Sequence, residues 1–335
     1  MKSFKLLMVS LLCVLTVGLC ACGNDKPVSK TNFLLDTICQ IDIYDMDEDQ
    51  AMELIDNTYK ICSDYEKLLS KTIKSSEIYK VNHNKGKATK LSDDTIFLIK
   101  KGIEYGNLSK GKFDITVGKA TDLWNFYEDT PRIPGDDELK EAVATIDYKN
   151  IVVDGNMVSM KNPDTEIDLG AVAKGFICDK ASEYLIDQGV EHAVVNLGGN
   201  IATIGNKPNG DKFKIAIENP ENDEATIIGT IEGDNTTCST SGTYKRFFEV
   251  DGVRYHHILD VNTGYPCNSG VQLVTIISKV GNSVNCDCLS TVCLTYGVEE
   301  GLKLIESIDG VEAVFMDTEG NISCTSGAGF TPLEQ

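Results

Sequence analysis

The chain has 335 residues, 41% hydrophobic and 24% charged, with 31 basic against 51 acidic side chains for a formal charge of −20. That apolar content over that length supports a sizeable packed core and excludes a disordered chain. The acidic excess, with no long Lys/Arg run, excludes nucleic acid as a partner, because a phosphate backbone needs a basic face.

Lys2 and Lys5 precede an apolar run from Leu6 to Leu19, the size of a secretory signal and short for a membrane span. It ends in Leu19-Cys20-Ala21-Cys22, which resembles a bacterial lipoprotein box with Cys22 as the lipidated residue. The expectation is a signal peptide over residues 1–21, a lipid-anchored tether over 22–31 and one domain over 32–335. The anchor would hold the chain on the extracytoplasmic face of the cell membrane. Apart from Cys13, Cys20 and Cys22, nine cysteines remain. Their odd number and lack of framework spacing point to small core residues rather than a disulfide scaffold. Cys286-Asp287-Cys288, without a second pair or nearby histidines, is poor evidence for zinc.

In chain order, alternation over 33–44 predicts a half-buried strand, and the stripe Met52, Ile55, Tyr59, Cys62, Leu69 predicts a helix over 49–69. The polar stretch 69–84 reads as irregular, with Thr72 and Lys74 available to a cleft. Ser92, followed by Asp93 and Asp94, marks the N-cap of a helix reaching 105 or 108. Trp124, the only tryptophan, reads either as an aromatic plug under a loop or as a ligand platform. A short helix over 136–144 precedes a hairpin whose arms, 151–153 and 157–160, flank Asp154-Gly155-Asn156.

The chain is organised around Ile167-Asp168-Leu169-Gly170-Ala171-Val172-Ala173-Lys174-Gly175-Phe176, read as a strand end that winds into a helix whose free amides suit an anion. Val194 to Asn200 then reads as an apolar strand ending in a glycine pair, where a flat or phosphorylated ligand can approach the main chain. Strands follow at 212–218, 225–231, 238–241, 247–250, 253–258, 271–279, 311–316 and 322–325, with helices at 285–296 and 299–308. Strands grouped as neighbours with helices between the groups indicate an α+β fold. Asp287 and Thr291, four apart on one helix face, present a carboxylate and a hydroxyl together, hard ligands of the kind Mg²⁺ takes. His257 beside Asp260 reads as a base and its orienting carboxylate.

Seven segments, KFDITVG (112–118), LW and F (123–126), IDLGAVAKGF (167–176), VNLGGN (195–200), STSGTYKRFF (239–248), HHILDVNTGYP (256–266) and DCLSTVCLTYG (287–297), resemble in order and spacing the ApbE family of FAD:protein FMN transferases. The resemblance implies a single T-fold-related α+β domain of mixed, largely antiparallel sheets with inserted helices and an FAD cleft. It implies a Mg²⁺-dependent reaction in which a Thr or Ser hydroxyl of a target protein attacks the FMN-side phosphorus of FAD and AMP leaves. By the same resemblance Asp287, Thr291, Ser290 and Ala171, the last through its carbonyl alone, match metal-ligand positions. Leu35, Thr72, Lys112, Phe113, Asp114, Asp168, Lys174 and Leu259 match FAD-binding positions. His257 is the candidate for activating the acceptor. Leu35-Asp36-Thr37 replaces the family's usual Met-Gly-Thr, and the aromatic common at the Thr72 position is absent. The implied acceptor is a separate membrane or secreted redox protein. The alternatives are a Mg²⁺-dependent FAD pyrophosphatase yielding FMN and AMP, and a surface flavin-binding lipoprotein without turnover.

Overall fold

The structure, a computed structural model, describes residues 26–126, 130–220 and 226–333. The expected signal peptide and Cys22 lie outside them. Strands β1 (Val28–Leu34) and β2 (Thr37–Ile43) form a hairpin, so the single strand expected over 33–44 is corrected to two. Leu35 and Asp36 reverse the chain with left-handed φ of 56° and 54°. Asn-Gly usually announces such a turn, and Leu-Asp hides it. β1 starts at Val28, inside the segment expected as tether.

Helix α1 (Glu48–Leu69) is capped by Asp47 and buries Leu54, Ile55, Tyr59, Cys62 and Leu69. The stretch expected to be irregular contains α2 (Glu77–His83), whose N-cap Ser76 accepts the Tyr79 amide; with only Ile78 and Val81 buried, its periodicity is too short to read. β3 (Thr89–Lys90) leads into α3 (Asp93–Leu108), capped by Ser92 as expected. Next come α4 (Gly118–Trp124), which the sequence reading did not contain, α5 (Asp136–Val143) and the expected hairpin of β4 (Ile151–Asp154) and β5 (Met157–Met160).

The second half begins with α6 (Ala173–Asp187), β6 (Ala193–Leu197), β7 (Asn200–Ile204), β8 (Phe213–Glu218), β9 (Ile227–Gly233) and β10 (Thr236–Gly242). A hairpin of β11 (Phe247–Val250) and β12 (Val253–His256) precedes β13 (Val271–Lys279). The chain closes with α7 (Ser283–Tyr296), α8 (Val298–Glu306), β14 (Glu312–Asp317), β15 (Ile322–Cys324) and β16 (Thr331–Pro332).

The main sheet has eight strands in the order β1-β2-β6-β7-β10-β13-β14-β15. Its ladders are antiparallel; apart from it, an isolated parallel bridge joins Val117 to Glu166. On one face α1, α6 and α7 pack against the sheet, joining Ile55, Phe176, Ile177, Leu289 and Val292 to Ile41, Val195, Val274 and Ile276 in one core. On the other face a small sheet, β16-β9-β8, buries Ile215, Ile217 and Ile231 against Cys238, Leu273, Ile277 and Val314. β13 is therefore covered on both sides, which is why it reads as a continuous apolar run. The nine described cysteines are free thiols, seven of them buried, Cys267 half-buried and Cys324 exposed. Among the described residues no helix is long and apolar enough to cross a membrane.

Candidate active site

Helices α6 and α7 cap each other by exchanging carboxylates. Asp179 of α6 accepts the Ser283 and Val284 amides at the start of α7, at 2.8 and 3.0 Å. Asp287 of α7 accepts the Gly175 amide at the start of α6, at 2.9 Å. Each carboxylate meets the positive end of the neighbouring helix. Only glycine fits at 175, because a Cβ there would collide with the Ser283 carbonyl and lie 2.7 Å from the Asp287 Cβ. In an uninterrupted helix the Gly175 amide would bond the carbonyl four residues back, that of Ala171. Asp287 takes that amide instead, and among the described residues no backbone N–H bonds the Ala171 carbonyl. The helix thus starts at Ala173, later than a junction at Gly170 suggests, and one of its expected anion-facing amides is already used.

Hydroxyls from β10 surround Asp287. Ser239 Oγ donates to Asp287 Oδ1 at 3.3 Å, and Ser241 Oγ lies 2.7 Å from Ser290 Oγ and 3.4 Å from Thr291 Oγ1. Ser290 is wholly buried, and its hydroxyl donates to the Asp287 carbonyl at 2.8 Å. It therefore braces the turn of α7 that carries Asp287. Thr291 is half-buried, and its hydroxyl meets Ser241 only at the limit of hydrogen-bond range. Among the described residues no three His, Cys, Asp or Glu side chains cluster as a closed metal cage. One carboxylate, an unpaired carbonyl and a hydroxyl instead fit a hard ion that keeps positions for phosphate oxygens and water.

Asp168 lies on the extended segment before α6, its amide bonded to the Ile115 carbonyl at 2.7 Å. Oδ1 accepts the Gly170 amide at 2.8 Å; Oδ2 accepts the Thr121 hydroxyl at 3.2 Å and pairs with Lys71 Nζ at 3.0 Å. Burial works to raise its carboxyl, but the Lys71 ammonium, the Gly170 amide and the Thr121 hydroxyl together hold it below the usual carboxylate range. Lys71 and Thr121 were absent from the sequence reading, which took Thr72 and Lys74 from the same loop. Thr72 and Lys74 are exposed, and the Thr72 hydroxyl meets Ser70 Oγ at 3.0 Å. Lys174 folds back on the Gly170 carbonyl at 2.8 Å.

His257 sits half-buried immediately after β12. Its Nδ1 faces the Arg246 carbonyl at 3.3 Å, so that nitrogen donates and Nε2 keeps its lone pair. The expected pairing with Asp260 is corrected, because Asp260 Oδ1 accepts the Asn262 amide at 2.8 Å and its Nδ2 at 3.1 Å to close a turn. Burial, with the positive Arg246 and Lys174 nearby, pushes His257 down to about 3, so it is neutral at physiological pH. The Arg246 guanidinium, just before β11, also reaches the Asp36 carbonyl at 3.2 Å in the β1–β2 turn that carries Leu35. The Leu35 amide is held by Glu66 Oε1 at 2.7 Å.

The other expected flavin residues separate. Phe113 is 3% exposed and belongs to the main core. Asp114 is buried and fully used, accepting Thr116 N at 2.8 Å, Thr116 Oγ1 at 2.6 Å and Tyr148 N at 2.8 Å. Lys112 is exposed, with its ammonium over the Tyr296 ring, and lines a small cavity of ≈ 200 Å³ with Lys110, Asp114 and Asn262. Leu259 packs with Trp124 and Leu139, so its side chain is core and only its main chain remains for a ligand. Trp124 is wholly buried and donates Nε1 to the Gly264 carbonyl at 2.8 Å, which settles it as the plug. At the glycine pair, a Cβ on Gly198 would collide with the Thr37 side chain. The space over Gly198 is therefore taken by the β1–β2 hairpin and not left for a ligand, while Gly199 is open.

Fold and site together define an α+β domain whose α6–α7 junction sets one carboxylate, neutral oxygens and a helix start beside a neutral histidine, an arrangement for a phosphate-bearing ligand. The ApbE family model matches residues 35–315, and the chain belongs to that family. The chain is 30% identical over 341 residues to the FAD:protein FMN transferase of Treponema pallidum, covering 95% of this chain and 92% of that protein. It is 32% identical over 263 residues to the Vibrio cholerae enzyme of the same name, covering 78% of each. Among solved structures, the ApbE protein of Thermotoga maritima superposes with a TM-score of 0.81 at 30% identity, covering 90% of this chain and 97% of that one. The flavin transferase ApbE of Vibrio cholerae superposes with a TM-score of 0.77 at 28% identity, covering 90% of this chain and 97% of that one.

Proposed function

We propose that this chain is an FAD:protein FMN transferase that uses Mg²⁺ to move FMN from FAD onto a Thr or Ser hydroxyl of a separate protein, releasing AMP. The observation that carries the metal is the capture of the Gly175 amide by Asp287, which leaves the Ala171 carbonyl unpaired at the same junction. Asp287, the Ala171 carbonyl and Thr291 would hold the ion, with Ser290 bracing Asp287 from behind. When bound, Mg²⁺ would neutralise the diphosphate and polarise the phosphorus under attack. Lys174 would exchange the Gly170 carbonyl for a phosphate oxygen, and Asp168 would fix the nucleotide from the cleft wall.

His257 supplies the base. With Nδ1–H held by the Arg246 carbonyl, Nε2 takes the proton of the acceptor hydroxyl while that oxygen forms its bond to the FMN-side phosphorus. The phosphorus–oxygen bond to the AMP side breaks, and AMP leaves with the bonding pair. The lipoprotein box at Cys22 supports a site of action outside the cytoplasmic membrane, with an acceptor among membrane or secreted redox proteins. Co-expression with a candidate acceptor, FAD and Mg²⁺ should give flavin fluorescence co-migrating with the acceptor on a denaturing gel. Free FMN and AMP alone would make the chain a pyrophosphatase, and unchanged FAD a binding protein.

A further inference from the structure

Lys71 carries no motif, yet its ammonium sits inside a cage of four oxygens. Asp122 Oδ1 lies at 2.6 Å, Thr121 Oγ1 at 2.7 Å, Asp168 Oδ2 at 3.0 Å and the Gly118 carbonyl at 3.3 Å. The Lys71 side chain is 14% exposed and that of Asp168 19%, whereas the Asp122 side chain is 59% exposed. Three segments meet there: the loop after α1, the body of α4 and the extended stretch that leads into α6. The Asp168 amide on the Ile115 carbonyl and the Gly118 amide on the Glu166 carbonyl already join the last two, and the ammonium brings the loop after α1 to them.

We propose that Lys71 is a positioning residue for the flavin nucleotide, a tethered cation that clamps Asp168 against α4 and fixes the shape of the cleft wall. The proposal rests on the reading that Asp168 meets FAD. Exposed ion pairs contribute little, but a pair this enclosed leaves an uncompensated charge when one member is removed. Without the ammonium, Asp168 keeps one amide and one hydroxyl. Asp122 from α4, which shares the ammonium with Asp168, loses its ion-pair partner at the same time. The carboxylate would turn away or take up a proton, and either change opens the wall. An ammonium fits the cage because its donors are compact and rotate to meet oxygens from several directions; a planar guanidinium does not.

The test titrates the full chain with FAD in the absence of acceptor, followed by flavin fluorescence, beside turnover with acceptor. Lys71→Met should weaken FAD binding at least about tenfold while kcat at saturating FAD stays within about threefold. Its binding should also gain a pH dependence that the wild type lacks, weakening as the medium is made more acidic. Butylammonium should restore binding to Lys71→Gly but not to Lys71→Met, whose methyl group fills the cage. If Lys71→Met does not fold, Lys71→Arg carries the test, with affinity lowered severalfold and kcat kept. Unaltered FAD affinity in the folded variants, with no pH slope and no amine rescue, overturns the assignment of Lys71 and leaves the transferase reading standing. A wild-type chain that does not bind FAD overturns both.

Discussion

At the α6–α7 junction the site's side chains sit on two regular helices: Asp287 and Thr291 share a face of α7, and Gly175 opens α6. At the Lys71 cage an ammonium from a loop meets oxygens from a short helix and an extended segment, through contacts 47 to 97 residues apart in sequence. The junction is held by helix geometry with amides as partners; the cage is held by charge. A position fixed by helical spacing tolerates loss of charge better than loss of shape, and the cage should show the reverse.

The sharpest way to break this comparison is Asp287→Asn, which keeps an oxygen for the Gly175 amide but loses the negative charge. Flavin transfer should fall at least about 10³-fold while unfolding stability changes by no more than about 1 kcal/mol. In-gel flavin fluorescence and thermal denaturation read the two effects separately. Retained transfer would make Asp287 a cap and nothing more.

His257→Asn should lower kcat by about 10²- to 10⁴-fold, the range for a lost general base. The sign of its pH effect follows from burial. Because the folded chain pushes His257 down to about 3, the unfolded chain binds a proton that the folded one refuses between its ordinary value near 6.5 and about 3. Stability therefore falls as pH drops through that window, and part of the fall should vanish in His257→Asn. The wild-type kcat/KM profile should lack the limb that an unperturbed histidine would give near pH 6.5.

Gly175→Ala tests shape at the junction. The added methyl meets the Ser283 carbonyl and the Asp287 Cβ, so denaturation should show a loss of about 1–3 kcal/mol and transfer should drop with it. The smallest effect belongs to Trp124→Phe, which removes the bond to the Gly264 carbonyl. It should cost about 1 kcal/mol and leave the rate within about twofold.

The two regions were also unequally legible from the sequence. Asp287 and Thr291 can be paired because helical spacing is local information, and most strands and helices from Ser92 onward carry clear caps, glycine turns and apolar periods. Lys71 could not, since nothing near it in sequence distinguishes it from Lys74; its partners lie beyond residue 117. The β1–β2 turn was hidden by Leu35-Asp36, and α2 by its two-residue apolar face. The resemblance assigned Phe113, Asp114 and Leu259 to the flavin as whole residues, whereas burial leaves the side chains of Phe113 and Leu259 in the core and ties Asp114 to Thr116 and Tyr148. Gly175 stood inside the quoted motif, but its reason, the close crossing of α7, becomes visible only when both helices are packed.

The most direct measurement is the binding of Mn²⁺, in place of Mg²⁺, to the FAD-loaded chain by electron paramagnetic resonance. The account predicts a single tightly held ion in the wild type and in His257→Asn, and its loss in Asp287→Asn. Equal binding by Asp287→Asn, or full-rate flavin transfer in excess chelator, would contradict it.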